Sequence, residues 1–197
     1  MIGPILLVWP EIPIYFSPFN APNDQAYLDQ LLAGTQTPIL VSADMFANEQ
    51  RYGRIPFYNT VQLLKGSSQI YGEYRKMILV PMGEYLPYEE FLSGEYSKDF
   101  LRDVRRYAPG RELSVIAISP ELSVGTPICL EALHSNHVGE MVKLGAQILI
   151  NPSNDGYFGR SPGAQFIEHS WYITDDQETA RSESITQAFM TIQLMSA

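Results

Sequence analysis

The chain has 197 residues, of which 45% are hydrophobic and 18% charged, and it contains a single cysteine. This size and composition predict one folded domain over residues 1–197, and the lone thiol excludes an internal disulfide. The formal net charge of -9 argues against nucleic acid as a partner, because phosphate binding needs clustered Lys and Arg. No apolar run approaches the roughly 20 residues of a transmembrane helix, so a soluble chain is predicted.

The first strand and the residue after it are predicted from the start of the chain. Residues 5–9 form a short apolar run that Pro10 stops, which is typical of a strand buried on both faces. Glu11 therefore follows the end of a strand, where α/β folds place functional groups. The next elements are predicted as a helix from residue 23 to Gly34, a strand over residues 39–42 and a hairpin over residues 58–71. The helix is expected to bury one apolar stripe made of Tyr27, Leu28, Leu31 and Leu32.

The middle of the chain is predicted to be less regular. Two prolines and a glycine lie between residues 74 and 87, so Lys76 and Glu84 are predicted to lie on loops. Residues 88–109 mix both charge signs with apolar residues at helical spacing, which indicates a half-exposed helical segment.

The last part of the chain alternates predicted strands and helices, which favours an α/β fold. The predicted strands are residues 113–118, 126–130, 147–151 and 189–194, the first two joined as a hairpin around Glu121. The predicted helices are residues 138–144, 164–171 and 179–187. A dense turn signal covers residues 151–156.

Cys129 is the centre of the candidate chemistry. A thiol must become a thiolate to attack a carbonyl, and a nearby carboxylate can take its proton while a nearby ammonium lowers its pKa. Glu11 and Lys76 are candidates for those two roles, and Lys76 with the backbone N–H of Leu130 could stabilise the oxyanion that forms. Spacing alone does not select this triad, because a chain of this length offers many such combinations.

Two other interpretations of these residues remain open at this point. Free cysteines are mostly buried and inert, so Cys129 could be a packing residue. His134 and His137 follow it closely and raise the question of a metal site, but a pair with this spacing is common by chance and no metal is predicted.

Four segments in order along the chain resemble the nitrilase (carbon–nitrogen hydrolase) superfamily. They are Val8-Trp9-Pro10-Glu11, the run from Lys76 to Pro87, Ile128-Cys129-Leu130-Glu131, and the run from Asn151 to Gly159. The last of these, together with Leu79-Val80-Pro81-Met82-Gly83-Glu84, is similar to the catalytic domain of the bacterial apolipoprotein N-acyltransferase family.

This resemblance implies a nitrilase-like four-layer α-β-β-α sandwich, apparently truncated at both ends. It also implies roles for five residues. Glu11 would be the general base, Lys76 the oxyanion stabiliser and Cys129 the nucleophile. Glu84 would be a second glutamate that positions the lysine or assists proton transfer, and Glu131 a supporting carboxylate after the nucleophile.

The resemblance further implies a function. Cys129 would take an acyl chain from a phospholipid as a thioester and pass it to the N-terminal amine of a diacylglyceryl-cysteine lipoprotein. The expected location is a membrane surface, the periplasmic face of the bacterial inner membrane, with no cofactor; the alternative location is cytoplasmic. The aromatic loops at 14–19 and 85–91 would face lipid. Two alternatives remain: a soluble amidase with the same triad, and a catalytically inactive remnant that acts as a binding module.

Overall fold

The structure is a computed structural model, which describes residues 6–11, 22–47, 55–88 and 107–154 and the backbone of residues 189–194. Within these residues the strands form two four-stranded sheets. The first sheet contains β1 (Leu7–Val8), β2 (Ile39–Phe46), β3 (Phe57–Leu64) and β4 (Ile70–Arg75). The second contains β5 (Ile116–Ser119), β6 (Leu122–Gly125), β7 (Ile148–Asn154) and β8 (Phe189–Leu194).

Both sheets are mixed, and their strand order follows the sequence. In the first sheet β1 runs parallel to β2, whereas β2, β3 and β4 are antiparallel. In the second sheet β5 and β6 form a hairpin, and β6, β7 and β8 are parallel. Two α-helices are described, α1 (Pro22–Leu32) and α2 (Ser135–Lys143), and a 3₁₀ helix covers Cys129–Leu133.

The two sheets pack face to face with one helix on each outer side. One apolar cluster joins both sheets, and it includes Leu40, Val61, Leu63, Tyr74, Ile116, Ile118, Val124 and Ile150. A second cluster packs Leu28 and Leu32 of α1 against the outer face of the first sheet. Met141 of α2 packs on the second sheet. The four-layer α-β-β-α order expected from the sequence is therefore confirmed.

Two glycines allow the layers to approach closely. A Cβ added at Gly72 of β4 would lie 2.9 Å from the Ile116 side chain in the opposite sheet. A Cβ added at Gly125 would lie 3.2 Å from the Met141 Cβ of α2. Any larger residue at either position would push two layers apart.

The predicted elements that lie within the described residues are found, with four corrections. The prediction that the first strand is buried on both faces is wrong, because Leu7 of β1 is exposed. The predicted strand over residues 126–130 is wrong, because β6 ends at Gly125 and Cys129 already belongs to the 3₁₀ helix. Pro127 has no N–H to pair in a sheet, and the Ile128 N–H is taken by the Glu131 side chain. The hairpin around Glu121 is formed by β5 and β6 instead.

The other two corrections concern α1 and β7. Only Leu28 and Leu32 of the predicted stripe are buried, whereas Tyr27 and Leu31 are exposed. The predicted turn over residues 151–156 is wrong in its first part, because β7 continues to Asn154 and pairs along that length with β8. The helices predicted at 164–171 and 179–187 and nearly all of the segment 88–109 lie outside the described residues.

Candidate active site

Lys76 lies directly after β4 and is fixed by its backbone on both sides. Its N–H donates to the Asn59 carbonyl at 2.9 Å, and its own carbonyl accepts from the Gly110 N–H at 2.7 Å. A Cβ at Gly110 would stand 2.3 Å from the Arg75 carbonyl oxygen, so only glycine permits this approach. The lysine side chain is 1% exposed. A lysine buried to this degree needs charge partners to remain protonated.

Two carboxylates supply those partners. The Lys76 Nζ donates to Glu84 Oε1 at 2.8 Å and lies 3.8 Å from Glu11 Oε1. Burial alone would lower the pKa of Lys76, but the charges of Glu11, then of Cys129 and Glu84, outweigh it and raise that pKa above its ordinary value. Lys76 is therefore an ammonium at neutral pH.

Glu11 is buried after β1 and is held from two directions. Asn59 of β3 donates to its Oε1 at 2.7 Å, and the Asn154 N–H at the end of β7 donates to its Oε2 at 3.0 Å. Burial raises the pKa of Glu11, and the lowering effects of Lys76 and these two donors do not cancel it. A carboxylate with a raised pKa has a stronger tendency to take up a proton, which suits a general base.

Glu84 lies in a tight turn that follows Lys76. Its Oε2 accepts from the Val80 N–H at 2.8 Å, and its own N–H donates to the Val80 carbonyl at 2.9 Å. The Tyr107 N–H donates to the Glu84 carbonyl and so fixes the turn from outside. These contacts fix the Glu84 carboxylate independently of its contact with Lys76.

Cys129 is half-buried and begins the 3₁₀ helix with φ of +53°, in the left-handed region that non-glycine residues seldom adopt. Such backbone geometry persists only where the surroundings enforce it, and it is found disproportionately at functional sites. The thiol is close enough to Lys76 to contribute to the raised pKa of that lysine. Leu130 follows in the first turn of the 3₁₀ helix, where backbone N–H groups have no partner within the helix.

Glu131 is fully buried and acts as the acceptor for several groups near the site. Its Oε1 accepts from the Met77 and Ile78 N–H groups at 2.7 and 2.9 Å, and its Oε2 accepts from the Ile128 N–H at 2.8 Å. The Tyr74 hydroxyl lies 3.0 Å from both oxygens. This carboxylate therefore ties the loop after Lys76 to the residue before Cys129.

The structure brings Glu11, Lys76 and Glu84 together at a largely buried position near the half-buried Cys129, and Glu131 holds the backbone on both sides. The sequence did not point to Asn59, to the Asn154 N–H, or to the contacts of Tyr74. An asparagine inside a predicted strand was the one available signal for Asn59, since asparagine is depleted in strands. In the described part of the chain, no group of three or more His, Cys, Asp or Glu side chains is arranged to hold a metal ion.

Cys129 therefore lies at a strained turn in a four-layer sandwich, near a buried lysine that is flanked by two glutamates. The carbon–nitrogen hydrolase family model matches residues 3–170. The chain belongs to this family.

Comparison with curated proteins gives relatives named apolipoprotein N-acyltransferase. The one from Sinorhizobium medicae is 33% identical over 174 residues, and the one from Chlorobaculum tepidum is 30% identical over 179 residues. These alignments cover 81% and 80% of this chain but only 30% and 33% of the relatives. The chain thus spans about a third of the length of the relatives that it matches.

Solved structures show the same fold. A carbon–nitrogen hydrolase from Helicobacter pylori G27 is similar with a TM-score of 0.59 at 18% identity, over 97% of this chain and 61% of that one. An amidase from Nesterenkonia sp. AN1 with acrylamide added to its active-site cysteine gives a TM-score of 0.50 at 15% identity, over 76% of this chain and 54% of that one.

Proposed function

We propose that this chain is the catalytic part of an N-acyltransferase that transfers a fatty acyl group through a thioester on Cys129. The observation that carries the proposal is the buried Lys76 ammonium, which contacts Glu84, lies near Glu11 and interacts electrostatically with the Cys129 thiol. The names of the curated relatives support acyl transfer as the chemistry.

In the first step Glu11 takes the proton of the Cys129 thiol, and the thiolate attacks the carbonyl carbon of the acyl donor. Negative charge develops on the carbonyl oxygen, where the Lys76 ammonium and the Leu130 N–H stabilise it. The intermediate then expels the alkoxide of the donor, which takes the proton from Glu11. The acyl group is left as a thioester on Cys129.

In the second step an amine attacks the thioester carbonyl. Glu11 takes a proton from the amine as the new carbon–nitrogen bond forms, and the same oxyanion donors act again. The Cys129 thiolate leaves and regains a proton from Glu11. Glu84 takes no proton in this scheme; its contact with Lys76 holds the ammonium at the position of the oxyanion.

The proposed donor is a phospholipid and the proposed acceptor is the N-terminal amine of a diacylglyceryl-cysteine lipoprotein. Both are what the resemblance to the apolipoprotein N-acyltransferase family implies, and the names of the curated relatives support the proposal. Because both substrates are membrane lipids, the proposed site of action is a membrane surface, the periplasmic face of the bacterial inner membrane. Among the described residues, no helix has the length and hydropathy needed to cross a bilayer.

The test uses the single cysteine of the chain. The protein is incubated with phospholipid micelles or with an activated fatty acyl ester, and its intact mass is followed with time, with Cys129→Ala as the control. An adduct on Cys129 that persists in buffer and disappears when a diacylglyceryl-cysteine peptide is added supports the transferase. An adduct that is lost quickly to water indicates an amidase-type hydrolase instead. If the chain is folded but forms no adduct, both enzymatic functions are contradicted, and the remaining hypothesis is a catalytically inactive binding module.

A further inference from the structure

His137 lies in α2 and contacts the carboxylate network behind the nucleophile, although the proposed mechanism does not use it. Its Nε2 atom is 2.8 Å from the Tyr74 hydroxyl oxygen and 3.6 Å from Glu131 Oε1. The imidazole is 11% exposed, so water does not readily replace these contacts. The spacing with His134 raised the question of a metal site, but the structure instead places His137 against a tyrosine and a carboxylate.

The hydrogen atoms in this network can be assigned from its acceptors. Glu131 faces three backbone N–H donors, from Met77, Ile78 and Ile128, so its oxygens act as acceptors. The Tyr74 hydroxyl has one hydrogen, which Glu131 therefore receives, leaving the tyrosine oxygen as an acceptor. With Tyr74 donating to Glu131, the tautomer of His137 that carries its hydrogen on Nε2 completes the network by donating to the Tyr74 oxygen.

The charge state of His137 agrees with this assignment. Burial lowers the pKa of His137, the nearby Glu131 charge acts in the opposite direction, and His134 lowers it further. The imidazole is therefore neutral at neutral pH and has one N–H to donate. A directed chain results, in which His137 donates to Tyr74 and Tyr74 donates to Glu131.

The two oxygens of the Glu131 carboxylate contact the two halves of the candidate site, the segment that carries Lys76 and the segment that carries Cys129. One oxygen binds the Met77 and Ile78 N–H groups, immediately after Lys76 in the chain. The other binds the Ile128 N–H, immediately before Cys129. A rotation of this carboxylate would break backbone contacts on both sides, next to Lys76 and next to Cys129.

We propose that His137 is a positioning residue for the Cys129–Lys76 pair and acts through Tyr74 and Glu131. The proposal rests on the proposed role of Cys129 as the nucleophile. His137 does not contact substrate in this scheme. It orients the Tyr74 hydroxyl, which in turn holds the Glu131 carboxylate in the one rotation that satisfies both halves of the site.

The experiment measures the rate at which iodoacetamide alkylates Cys129, followed by intact mass at neutral pH. This reagent needs only a reactive thiolate, so the result does not depend on any acyl substrate. We compare His137→Leu, Tyr74→Phe and the double variant with the wild-type chain. His137→Gln keeps an N–H donor on a side chain of similar reach. Lys143→Leu is the control at an exposed position of the same helix, where Lys143 pairs with Glu140 outside the network.

We expect His137→Leu and Tyr74→Phe each to slow alkylation about threefold to tenfold, the effect of one lost buried hydrogen bond. The double variant should be no slower than the slower single variant, because both changes break one chain. His137→Gln should restore most of the rate, and Lys143→Leu should leave it unchanged. With an acyl donor, His137→Leu should lower kcat with little change in KM.

Two results would overturn the proposal: a folded His137→Leu variant that alkylates at the wild-type rate, or single effects that multiply in the double variant. If His137→Leu does not fold, Tyr74→Phe and His137→Gln decide the matter. A slow Tyr74→Phe with a near-normal His137→Gln supports the chain, and a normal Tyr74→Phe contradicts it. If the variants differ from wild type in alkylation rate but the protein forms no acyl adduct, the proposed function is wrong, whereas the positioning role of His137 still holds.

Discussion

Glu11 and Glu131 are both buried carboxylates within the same core, yet their surroundings suit them to different tasks. Glu131 accepts hydrogen bonds from three backbone N–H groups and the Tyr74 hydroxyl. Glu11 accepts from one side-chain amide and one backbone N–H, and its nearest cation is 3.8 Å away. Burial raises the pKa of Glu11 despite these partners.

The difference shows how a fold can give two buried carboxylates different surroundings, one suited to holding the chain together and one suited to the proposed role of base. A carboxylate surrounded by fixed N–H donors joins segments of chain, because each donor would be left unsatisfied if it moved. A carboxylate with fewer donors and a raised pKa, such as Glu11, can exchange a proton more readily. The number and type of donors, and not burial itself, distinguish the two.

The largest expected effect is at Cys129, the proposed nucleophile. Cys129→Ala removes the only thiol and should abolish acyl-adduct formation completely, whereas the melting temperature should change by no more than about 2 °C because the side chain is only half-buried. Intact mass and thermal unfolding measure the two outcomes. A strongly destabilised variant would instead make Cys129 a packing residue.

The next largest combined loss of activity and stability is expected at Lys76, which pairs with Glu84 and lies near Glu11. Lys76→Met leaves Glu11 and Glu84 facing each other without a cation, and breaking a buried ion pair in this way costs about 3–5 kcal/mol of the free energy of unfolding. Adduct formation should fall by about 10²–10³-fold, since an oxyanion donor is lost. Lys143→Met is the control, because Lys143 pairs with Glu140 at the exposed surface. Equal losses of stability in the two variants would contradict the buried charge cluster.

Replacing each of the two buried glutamates with glutamine tests the comparison directly. Glu11→Gln should reduce adduct formation about 10²–10⁴-fold, the usual contribution of a general base. Glu131→Gln should act mainly on stability and lower the free energy of unfolding by about 1.5–3 kcal/mol. The reason is that the NH₂ group of the glutamine amide cannot accept a hydrogen bond from a backbone N–H, as the oxygen that it replaces does. Urea unfolding and adduct kinetics on both variants give the answer. The comparison fails if the two variants lose activity and stability in the same proportion.

The smallest expected effect is the pH dependence of stability that Glu11 introduces. A carboxyl group whose pKa is raised in the folded state binds more protons there than in the unfolded chain. The stabilisation that this group contributes to folding is fully present below its unfolded-state pKa of about 4.5. It is lost as pH rises through the raised pKa of the folded state. The difference in free energy of unfolding between wild type and Glu11→Gln should therefore fall as pH increases through that window. A difference that is constant with pH would mean that the Glu11 pKa is not raised.

Several parts of the fold followed from local sequence patterns. The predicted bounds of three elements agree with the structure to within a few residues. These elements are the strand before Pro10, the helix that ends before Gly34 and the hairpin around the Gly66 turn. These elements depend on periodicity, turn residues and capping, which act over a few residues. The predicted strand at 126–130 failed because the side chain of Glu131 takes the Ile128 N–H, a contact that apolar patterning does not reveal.

By itself, the sequence determined the elements, the family resemblance and which residue types could perform acyl transfer: a base, a cation and a thiol. Tertiary structure alone decided which carboxylate received which environment. Asn59 and the Asn154 N–H reach Glu11 from strands far away in the chain, and Tyr74 reaches Glu131 in the same way. The physical reason is that the pKa of a buried group depends on its desolvation and on donors brought to it by packing, and neither is encoded within a few residues of the group.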